Sequence, residues 1–302
     1  MSPLAIGLIL LGLALLALLL YWQLIIAEGA YLGPRIVALM YDWSARAYER
    51  IKGFIPSEEQ WFLGLPLARS LELIPAPLVL DVATGTGRLP RALFRRPPFQ
   101  GRVIGLDLSR GMLRQAVRRT AQFADRLTFI WQGASRLPFQ DNTFDAVTCL
   151  ESLEFMPDPH QVLRELVRVL RPGGVLLLTN RVGSDARFLP GRAFAPDTFE
   201  EMLRQLPLEQ IKTKRWQVDY NLVWAVKTGE PRGGGIHPLE EILRCPVCES
   251  PLERGADAFR CTGCARTYPV ADDGVVEMVD RVRGERSQAT ESGYDGQGRP
   301  SG

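Results

Sequence analysis

The sequence contains a short glycine turn whose residue types suit nucleotide chemistry. Residues 81–87 (Asp-Val-Ala-Thr-Gly-Thr-Gly) follow an apolar run at 77–80 and precede a helical pattern at 88–94, so the predicted order is strand, turn and helix. The glycines permit positive φ and let the backbone approach a ligand closely, while the free amides at a helix start favour polar or anionic groups. A second apolar strand, residues 102–107, ends in Asp107, a carboxylate that can accept hydrogen bonds from a ribose. These residues predict a nucleotide-type cofactor site.

Four cysteines in the last quarter of the chain form a second chemical signal. Cys245 and Cys248 make one C-x-x-C pair, and Cys261 and Cys264 make another. Four thiolates in this pattern suit one tetrahedral Zn²⁺, and in a reducing cytoplasm zinc explains them better than two disulfides. A site closed by four Cys ligands is structural, so the metal is expected to organise a surface and take no part in catalysis. The fifth cysteine, Cys149, lies in an apolar strand pattern and is expected in the core.

Two carboxylates are candidates for catalysis. Glu151 and Glu154 follow a predicted central strand, where a loop could carry a general base or a substrate contact. The alternative is that both are solvated carboxylates near a helix start. The two histidines, His160 and His237, show no supporting motif.

The elements that must position these groups alternate along the middle of the chain. Strands are predicted near 78–82, 103–107, 127–131, 144–149, 174–180, 208–216 and 219–228, and helices near 88–95, 110–122, 160–170 and 196–206. Alternating elements with apolar strands predict a doubly wound α/β fold. Ligands in such a sheet bind outside the carboxyl ends of the strands, where the strand order reverses.

Four segments in this order resemble class I S-adenosylmethionine-dependent methyltransferases with a methyltransferase type 11-like domain. Residues 81–87 resemble motif I, residues 105–113 the second strand and its turn, residues 137–147 the approach to the fourth strand, and residues 165–174 the entry to the fifth. The resemblance covers roughly residues 76 to 180. It implies a Rossmann-like seven-stranded sheet ending in an antiparallel hairpin, S-adenosyl-L-methionine as cofactor, and methyl transfer as the reaction.

The same resemblance implies a set of cofactor residues. Asp81 and the backbone of the two glycines correspond to the methionine end, Asp107 to the ribose and Met112 to the adenine. The usual glycine after the motif I Asp-Val is replaced by Ala83, which is still compact enough for the loop. The family often has an acid for the adenine amino group where this chain has residues 132–135, so backbone or Gln132 must substitute. The expected set is Asp81, Ala83, Thr84, Gly85, Gly87, Asp107, Leu108, Met112, Gly133 and Ala134.

The segment expected to contact the substrate differs in sequence from that of the family. Many relatives have a histidine near the position of Glu154, so their substrate chemistry does not transfer directly. In-line methyl transfer depends largely on holding the acceptor against the methyl carbon, and no covalent protein nucleophile is required. Before motif I, Tyr41 and Tyr48 resemble the family's aromatic entry segment, or they simply pack helices onto the sheet.

The cysteine segment also resembles a known module. Residues 239–248, 268–270 and 273–276 resemble the small zinc-ribbon activator subunit of tRNA and release-factor methyltransferases. The resemblance implies that a contact usually made between subunits is made here within one chain. A protein partner bound through the ribbon is the other expectation.

The N-terminal sequence predicts a transmembrane anchor. Residues 3–27 carry no charged side chain. This stretch is long enough to cross about 30 Å of hydrocarbon as a helix, and Tyr21 and Trp22 lie where interfacial aromatic residues are expected. The alternative is a cleaved signal peptide, but no Lys or Arg precedes the stretch and no convincing cleavage site follows. Basic residues follow the span and none precedes it, which predicts that residues 28–302 face the cytoplasm.

The expected organisation follows from these segments. A membrane anchor at 1–27 precedes a helical cap at 28–75, a methyltransferase domain at 76–229, a Gly/Pro linker at 230–238, a zinc ribbon at 239–282 and a disordered tail at 283–302.

Charge and composition limit the function. The formal net charge of the 302 residues is +2, and basic side chains are scattered among acidic ones, so no footprint for nucleic acid is visible. We expect methylation of an unidentified acceptor, with a membrane-associated small molecule such as a quinone precursor or a lipid favoured by the anchor. The alternatives are RNA or protein methylation with the fused ribbon, and a non-catalytic membrane-tethered scaffold.

Overall fold

A computed structural model describes residues 2–95, 99–230 and 237–279. The expected linker at 230–238 is therefore described only at its ends, and the expected tail at 283–302 lies outside the described residues.

A mixed β-sheet forms the centre of the molecule. The strands in chain order are β1 (Leu78–Val82), β2 (Arg102–Asp107), β3 (Leu127–Trp131), β4 (Phe144–Cys149), β5 (Leu170–Arg181), β6 (Leu208–Arg215), β7 (Tyr220–Lys227), β8 (Leu252–Arg254), β9 (Ala258–Cys261), β10 (Thr267–Pro269) and β11 (Val276–Glu277). Eight of them form the central sheet in the order β11-β3-β2-β1-β4-β5-β7-β6, and β10-β9-β8 form a small separate sheet. The seven strands expected from the sequence are present, and an eighth joins them from the cysteine segment.

Helices cover both faces of the sheet and the ends of its parallel strands. They are α1 (Pro3–Tyr21), α2 (Pro34–Ser44), α3 (Tyr48–Lys52), α4 (Pro56–Glu59), α5 (Leu65–Ser70), α6 (Arg88–Phe94), α7 (Arg110–Arg119), α8 (Pro159–Val169), α9 (Pro196–Arg204) and α10 (Leu239–Ile242). Single π-helical turns at Trp22–Ile26 and Gln60–Gly64 continue α1 and join α4 to α5. In α8, Val162, Leu163 and Leu166 recur at helical spacing and are buried against the sheet, as an amphipathic helix requires.

Strand direction defines the edge at which function is expected. The strands β3, β2, β1, β4 and β5 are mutually parallel, and β7 runs antiparallel between β5 and β6. Strand order reverses between β1 and β4, so their carboxyl ends open a crevice there. We call the side of the sheet where the parallel strands end the carboxyl edge. Because β7 is antiparallel, its first residue, Tyr220, lies at this edge opposite Arg181 of β5.

The cysteine segment is docked onto the sheet. The strand β11 pairs in parallel with β3, Val276 opposite Ile130, and the Met278 amide donates to the Trp131 carbonyl at 3.0 Å. On the same side, Leu243 forms an antiparallel bridge with Phe139. The intramolecular contact anticipated for the ribbon is therefore present, and it extends the sheet to eight strands.

Hydrogen bonds connect the end of the apolar N-terminal helix to the loop after β5. Residues 3–26 form a helix that is long and apolar enough to cross a membrane, with a mean hydropathy of 2.8 and no part of it buried. At its end, Trp22 Nε1 donates to the Phe188 carbonyl at 2.8 Å and Tyr31 donates to the Pro190 carbonyl at 2.8 Å. Both carbonyls belong to the loop that follows β5. The helix thus leaves the molecule at the carboxyl edge.

Candidate active site

A cavity of about 420 Å³ opens at the carboxyl edge beside the reversal of strand order. Its volume lies within the range of about 300–1,000 Å³ that is usual for small-molecule sites. The expected cofactor residues that line it are Ala83, Gly85, Asp107, Leu108, Met112, Gly133 and Ala134. A smaller cavity of about 40 Å³ adjoins it and is lined by Asp81, Thr84 and Thr86 together with Ala83 and Gly85.

Asp107 is fixed at the cavity wall by two backbone donors. The Gly85 amide donates to Oδ2 and the Ser109 amide donates to Oδ1, both at 2.8 Å. Ser109 in turn caps α7 by accepting from the Met112 amide at 3.0 Å. Burial raises the pKa of Asp107 to about 6, against the two backbone hydrogen bonds, which lower it. The carboxylate thus joins the glycine turn to the next helix while facing the cavity.

The two glycines of the turn have different roles. Gly85 has a φ of 55°, and a Cβ added there would meet no atom within 4 Å, so the space beside it is open to a ligand. Gly87 has a φ of 76° and precedes α6, and a Cβ there would lie 3.1 Å from Thr120 Cγ2. It lines neither cavity. Gly87 is needed for the helix start and its packing on α7. Ala83 has a φ of 55°, in the left-handed region that glycine adopts more easily.

Asp81 lies beneath the turn. It is 3% exposed and accepts hydrogen bonds from Thr84 Oγ1 at 2.6 Å and Thr148 Oγ1 at 2.7 Å. Burial raises its pKa to about 6. The sequence expectation placed this carboxylate at the methionine end of the cofactor, and the structure places it in the smaller cavity with both oxygens already bonded to hydroxyls.

Glu151 and Glu154, the two candidate carboxylates, occupy different environments. Glu151 lines both cavities, and its Oε1 accepts from Arg88 Nη2 at 2.8 Å and from Gln217 Nε2 at 3.3 Å. Glu154 is 2% exposed, bonds to the Tyr220 hydroxyl and lines neither cavity. Burial raises the pKa of Glu154. Only Glu151 is placed to meet a ligand.

Arg88 lines the smaller cavity and connects several side chains around it. The sequence did not predict this role. Arg88 pairs with Glu59 as well as Glu151, and its guanidinium lies between the rings of Phe54, 4.1 Å from the centroid, and Trp216, 5.2 Å away. The partners come from segments far apart in sequence, which leaves no local pattern to detect. The arginine fixes the orientation of Glu151.

Aromatic and apolar side chains enclose the rest of the larger cavity. Tyr41 and Tyr48 both line it, as do Phe155 and Met156. Tyr41 donates to Glu28 Oε2 at 2.6 Å, and Tyr48 also borders the smaller cavity. Burial raises the pKa of both tyrosines, so they are neutral at ordinary pH. The aromatic entry segment read from the sequence therefore forms part of the pocket wall.

The docked ribbon contributes to the same wall. Val279, two residues after the end of β11, lines the larger cavity beside residues 132–136. No sequence pattern assigned this valine to the site. Because its placement depends on β11, the ribbon and the cofactor-type pocket are structurally linked.

The four ribbon cysteines converge on one point. All four Sγ atoms lie within 4.8 Å of one another, with Cys245 and Cys264 separated by 3.7 Å and Cys248 and Cys261 by 3.3 Å. A tetrahedral zinc with Zn–S bonds of about 2.3 Å requires sulfur atoms about 3.8 Å apart, so the set fits Zn²⁺. The Tyr268 hydroxyl lies 3.0 Å from Cys245 Sγ. With four protein ligands the site is closed and structural.

Comparison with known proteins agrees with this geometry. Residues 80–178 match the profile of a family described as methyltransferase domain, and residues 237–273 match that of Trm112p-like proteins. The demethylmenaquinone methyltransferase of Clavibacter sepedonicus is 34% identical over 145 residues, which are 48% of this chain and 58% of that protein. The enzyme of the same name from Corynebacterium urealyticum is 33% identical over 174 residues, 58% of this chain and 70% of that protein.

The chain spans only 58%, 59% and 61% of the length of three demethylmenaquinone methyltransferases that it matches. Among solved structures, the [4+2]-cyclase SpnF has a TM-score of 0.54 at 19% identity, covering 66% of this chain and 98% of that chain, a likeness of fold alone.

Three observations identify the cofactor as S-adenosyl-L-methionine: the pocket at the strand reversal, the carboxylate at the end of β2 and the matched profiles. The cysteine cluster and its profile agree on a structural zinc. The chain belongs to the S-adenosylmethionine-dependent methyltransferases of the methyltransferase domain family and carries a Trm112p-like zinc ribbon in the same polypeptide.

Proposed function

We propose that this methyltransferase acts on a membrane-resident aromatic small molecule of the quinone-precursor type. The observation that carries the proposal is the composition of the larger cavity, in which Tyr41, Phe155 and Met156 enclose a space that also meets the Glu151 carboxylate. An apolar ring with a hydroxyl group suits such a wall. The names of the matched relatives and the apolar N-terminal helix support the same acceptor class.

The proposed cofactor contacts follow the sequence assignment. S-adenosylmethionine supplies an electrophilic methyl group on a sulfonium when it is bound. We assign the ribose hydroxyls to Asp107, the adenine to Leu108 and Met112 with the backbone of Gly133 and Ala134, and the methionine end to the turn at residues 81–87. The open space beside Gly85 allows the backbone of that turn to approach the ligand.

Glu151 is proposed to meet the acceptor. A ring carbon of a quinol becomes a stronger nucleophile as a neighbouring hydroxyl gives up its proton, and a carboxylate at the cavity wall can accept that proton. The ion pair with Arg88 holds the carboxylate in place. Glu154, bonded to Tyr220 away from the cavity, is proposed to support the loop.

The test uses the full chain in lipid nanodiscs with methyl-labelled cofactor. We expect label in a prenylated dihydroxynaphthalene supplied in the same bilayer. Glu151→Gln should lower turnover by about 10²- to 10⁴-fold, the range usual for loss of general acid-base catalysis, while the Kd for the cofactor stays unchanged. Glu201→Gln, on the exposed face of α9, is the matched control. Turnover of Glu151→Gln equal to that of the parent would refute the assigned role.

A second candidate function is methylation of RNA or protein. It is favoured by the match of residues 237–273 to Trm112p-like proteins. Incubation of membrane extract, RNA and protein fractions with labelled cofactor separates the two candidates. Label confined to RNA or protein would overturn the small-molecule proposal.

We propose the domain boundaries and the membrane orientation that the sequence predicts. The anchor comprises residues 1–27, the cap 28–75, the methyltransferase domain 76–229, the linker 230–238, the ribbon 239–282 and the tail 283–302. The excess of basic residues after the span supports a cytoplasmic location for the catalytic domain. Protease added to inverted membrane vesicles should digest this domain, and protease added to right-side-out vesicles should leave it intact.

A further inference from the structure

We propose that the carboxyl edge carries a second membrane-contact surface that rests on the headgroups of an anionic lipid leaflet. We call it the collar and define it by six exposed side chains: Leu39, Trp43, Ile51, Ile55, Trp61 and Val218. The proposal rests on the proposed membrane anchor. It adds a bilayer contact by the catalytic region itself and places the mouth of the larger cavity at the lipid surface.

The helix α2 supplies the first two collar residues. Pro34, Val37 and Tyr41 of this helix line the cavity. Leu39 and Trp43 lie on its outer side, 64% and 90% exposed. One helix therefore separates the pocket from an apolar outer face.

The segment after α2 remains at the same edge. Glu49 accepts a hydrogen bond from Thr86 of the glycine turn at 2.7 Å, which places Ile51 of the same short helix close to that turn. Further along, Glu59 pairs with Arg88, the first residue of α6. This pair holds the flanking stretch that contains Ile55 and Trp61 near the carboxyl end of β1.

Val218 reaches the edge from the opposite end of the sheet. It lies between β6 and β7, and the turn is held by the Val182 amide, which donates to the Asp219 carbonyl at 2.7 Å. Val182 directly follows β5. Three separate parts of the chain thus bring large apolar side chains to one edge.

Most of the exposed large hydrophobic side chains outside the N-terminal helix belong to the collar or adjoin it in sequence. Among the described residues, the others are Leu32, Phe62, Leu73, Phe188 and Val247. Contiguous exposed apolar surface marks an interaction site, and tryptophan is enriched where proteins meet the membrane interface.

The anchor keeps the collar close to the bilayer. Residues 27–33, which join the apolar helix to α2, could span at most about 25 Å even if fully extended. They are instead folded, with Ala27 and Ala30 buried, and Tyr31 of this segment and the preceding Trp22 are bonded to the loop after β5. The carboxyl edge therefore has little freedom to turn away from the membrane.

The charge around the collar identifies the kind of leaflet. Exposed basic side chains surround it: Arg35, Arg46, Arg50, Arg187 and Arg215. Of the nearby acids, Asp42 accepts from Ser109 and Gly111, and Glu49 pairs with Arg91 and Arg119. Glu58, Asp185 and Asp219 are left to oppose the five arginines. A basic excess beside a membrane span is attracted to anionic headgroups.

The test is depth-dependent quenching of tryptophan fluorescence in the full chain. The protein is reconstituted into phosphatidylglycerol/phosphatidylcholine vesicles in which the acyl chains carry bromine near the headgroup. Trp43→Phe and Trp61→Phe should each remove part of the quenchable fluorescence. Trp224→Phe, on a central part of β7, should leave the quenched amplitude unchanged. In phosphatidylcholine alone, quenching of Trp43 should be weaker.

Two outcomes overturn the collar. One is equal quenching of the parent, Trp43→Phe and Trp61→Phe. The other is a Trp43 that stays accessible to aqueous iodide in vesicles and becomes protected only when a soluble protein fraction is added, which would identify a protein partner. Neither readout depends on methyl transfer. A failure of the proposed acceptor would therefore leave these results intact, and a failure of the anchor would appear as protein that does not sediment with vesicles.

Discussion

Asp107 connects three features of the site: the glycine turn, the start of α7 and the cavity wall. Replacing it with alanine removes the acceptor for the Gly85 and Ser109 amides and the proposed acceptor for the ribose. A hydrogen bond to a charged group contributes about 1.5–3 kcal/mol, so the Kd for S-adenosylmethionine should rise by about 10- to 100-fold.

The measurement is titration calorimetry on the full chain. Asp197→Ala, an exposed carboxylate on α9, is the control and should bind like the parent. Identical affinities for Asp107→Ala and the parent would remove Asp107 from the cofactor site.

Two carboxylates with raised pKa values, the buried Asp81 and the half-buried Asp107, make the folded state sensitive to pH. The pKa values of Asp81 and Asp107 are raised by burial from 3.8 to about 6. A group that holds its proton more tightly in the folded state stabilises that state below its unfolded pKa, and the contribution is lost as pH rises through the folded pKa. Each carboxylate should therefore change the free energy of unfolding by about 1–3 kcal/mol between pH 4 and pH 7.

The cofactor-free protein should accordingly have a higher Tm at pH 5 than at pH 7.5. Asp81→Asn should reduce the difference, since the amide does not titrate. Burial shifts the pKa of Glu59, Asp145 and Glu154 in the same direction, so some dependence should persist in this variant. A Tm that rises steadily from pH 5 to 7.5 in the parent would contradict the prediction.

The site was predictable from sequence where chemistry follows local order. Asp107 and Gly85 stand in a strand-turn-helix pattern, so their meeting at one edge follows from chain direction alone. Arg88 and Glu151 meet only because β1 and β4 are neighbours, a fact of topology that neither segment encodes. The same holds for Val279, which reaches the cavity through pairing between β11 and β3.

At the scale of elements, α7 and the ribbon are connected by one arginine. Arg110, the first residue of α7, donates two hydrogen bonds to Asp273 at 2.9 and 2.7 Å and one to Glu277 of β11 at 3.3 Å. Its side chain is only 11% exposed. This fork should hold β11 against β3 more firmly than a surface ion pair would.

Arg110→Ala should therefore increase amide hydrogen exchange in residues 272–279 and destabilise the docked ribbon by about 1.5–3 kcal/mol. Arg136→Ala is the matched control, because Arg136 and its partner Glu249 are 47% and 72% exposed and should contribute no more than about 1 kcal/mol. Equal exchange in the two variants would show that β11 is held by other contacts.

The zinc site gives a prediction for the whole ribbon. Cys261→Ser leaves three thiolates, so the zinc content of the purified chain should fall well below one ion per molecule. Loss of the metal should also lower the affinity for S-adenosylmethionine, because Val279 depends on the ribbon for its place in the cavity wall.

Cys149→Ser tests whether the effect is specific to the ribbon. Cys149 is fully buried in β4, apart from the four-cysteine cluster, and this variant should retain its zinc. Zinc contents that are the same in Cys261→Ser and the parent would exclude the proposed ligand set. Elemental analysis supplies the measurement.

Helices and strands were predicted best where they are long and periodic. The helix predicted at 160–170 is α8, and the strands predicted at 127–131 and 144–149 are β3 and β4. The strand β11 has only two residues, too few for alternation to be visible, and it exists because a neighbouring edge offers hydrogen-bond partners.

At the scale of the molecule, the apolar helix should determine where the protein resides. Leu11→Arg combined with Leu15→Arg places two charges in the middle of the span, each costing about 2.5–3.5 kcal/mol for insertion. The variant should move from the carbonate-washed membrane fraction to the soluble or aggregated fraction. Leu73→Arg, also highly exposed but outside the span, should remain in the membrane fraction.

The position of β11 has a consequence for how the protein is made. The edge of β3 is completed by a strand that leaves the ribosome only after almost the whole catalytic region, and synthesis proceeds at about 5–20 residues per second. During that interval the nascent chain presents a bare strand edge of the kind that recruits other strands. Because β11 follows the four cysteines in the chain, this edge can close only after all four zinc ligands have been synthesised. The order of synthesis thus makes the ribbon the last part of the sheet to protect the catalytic region from aggregation.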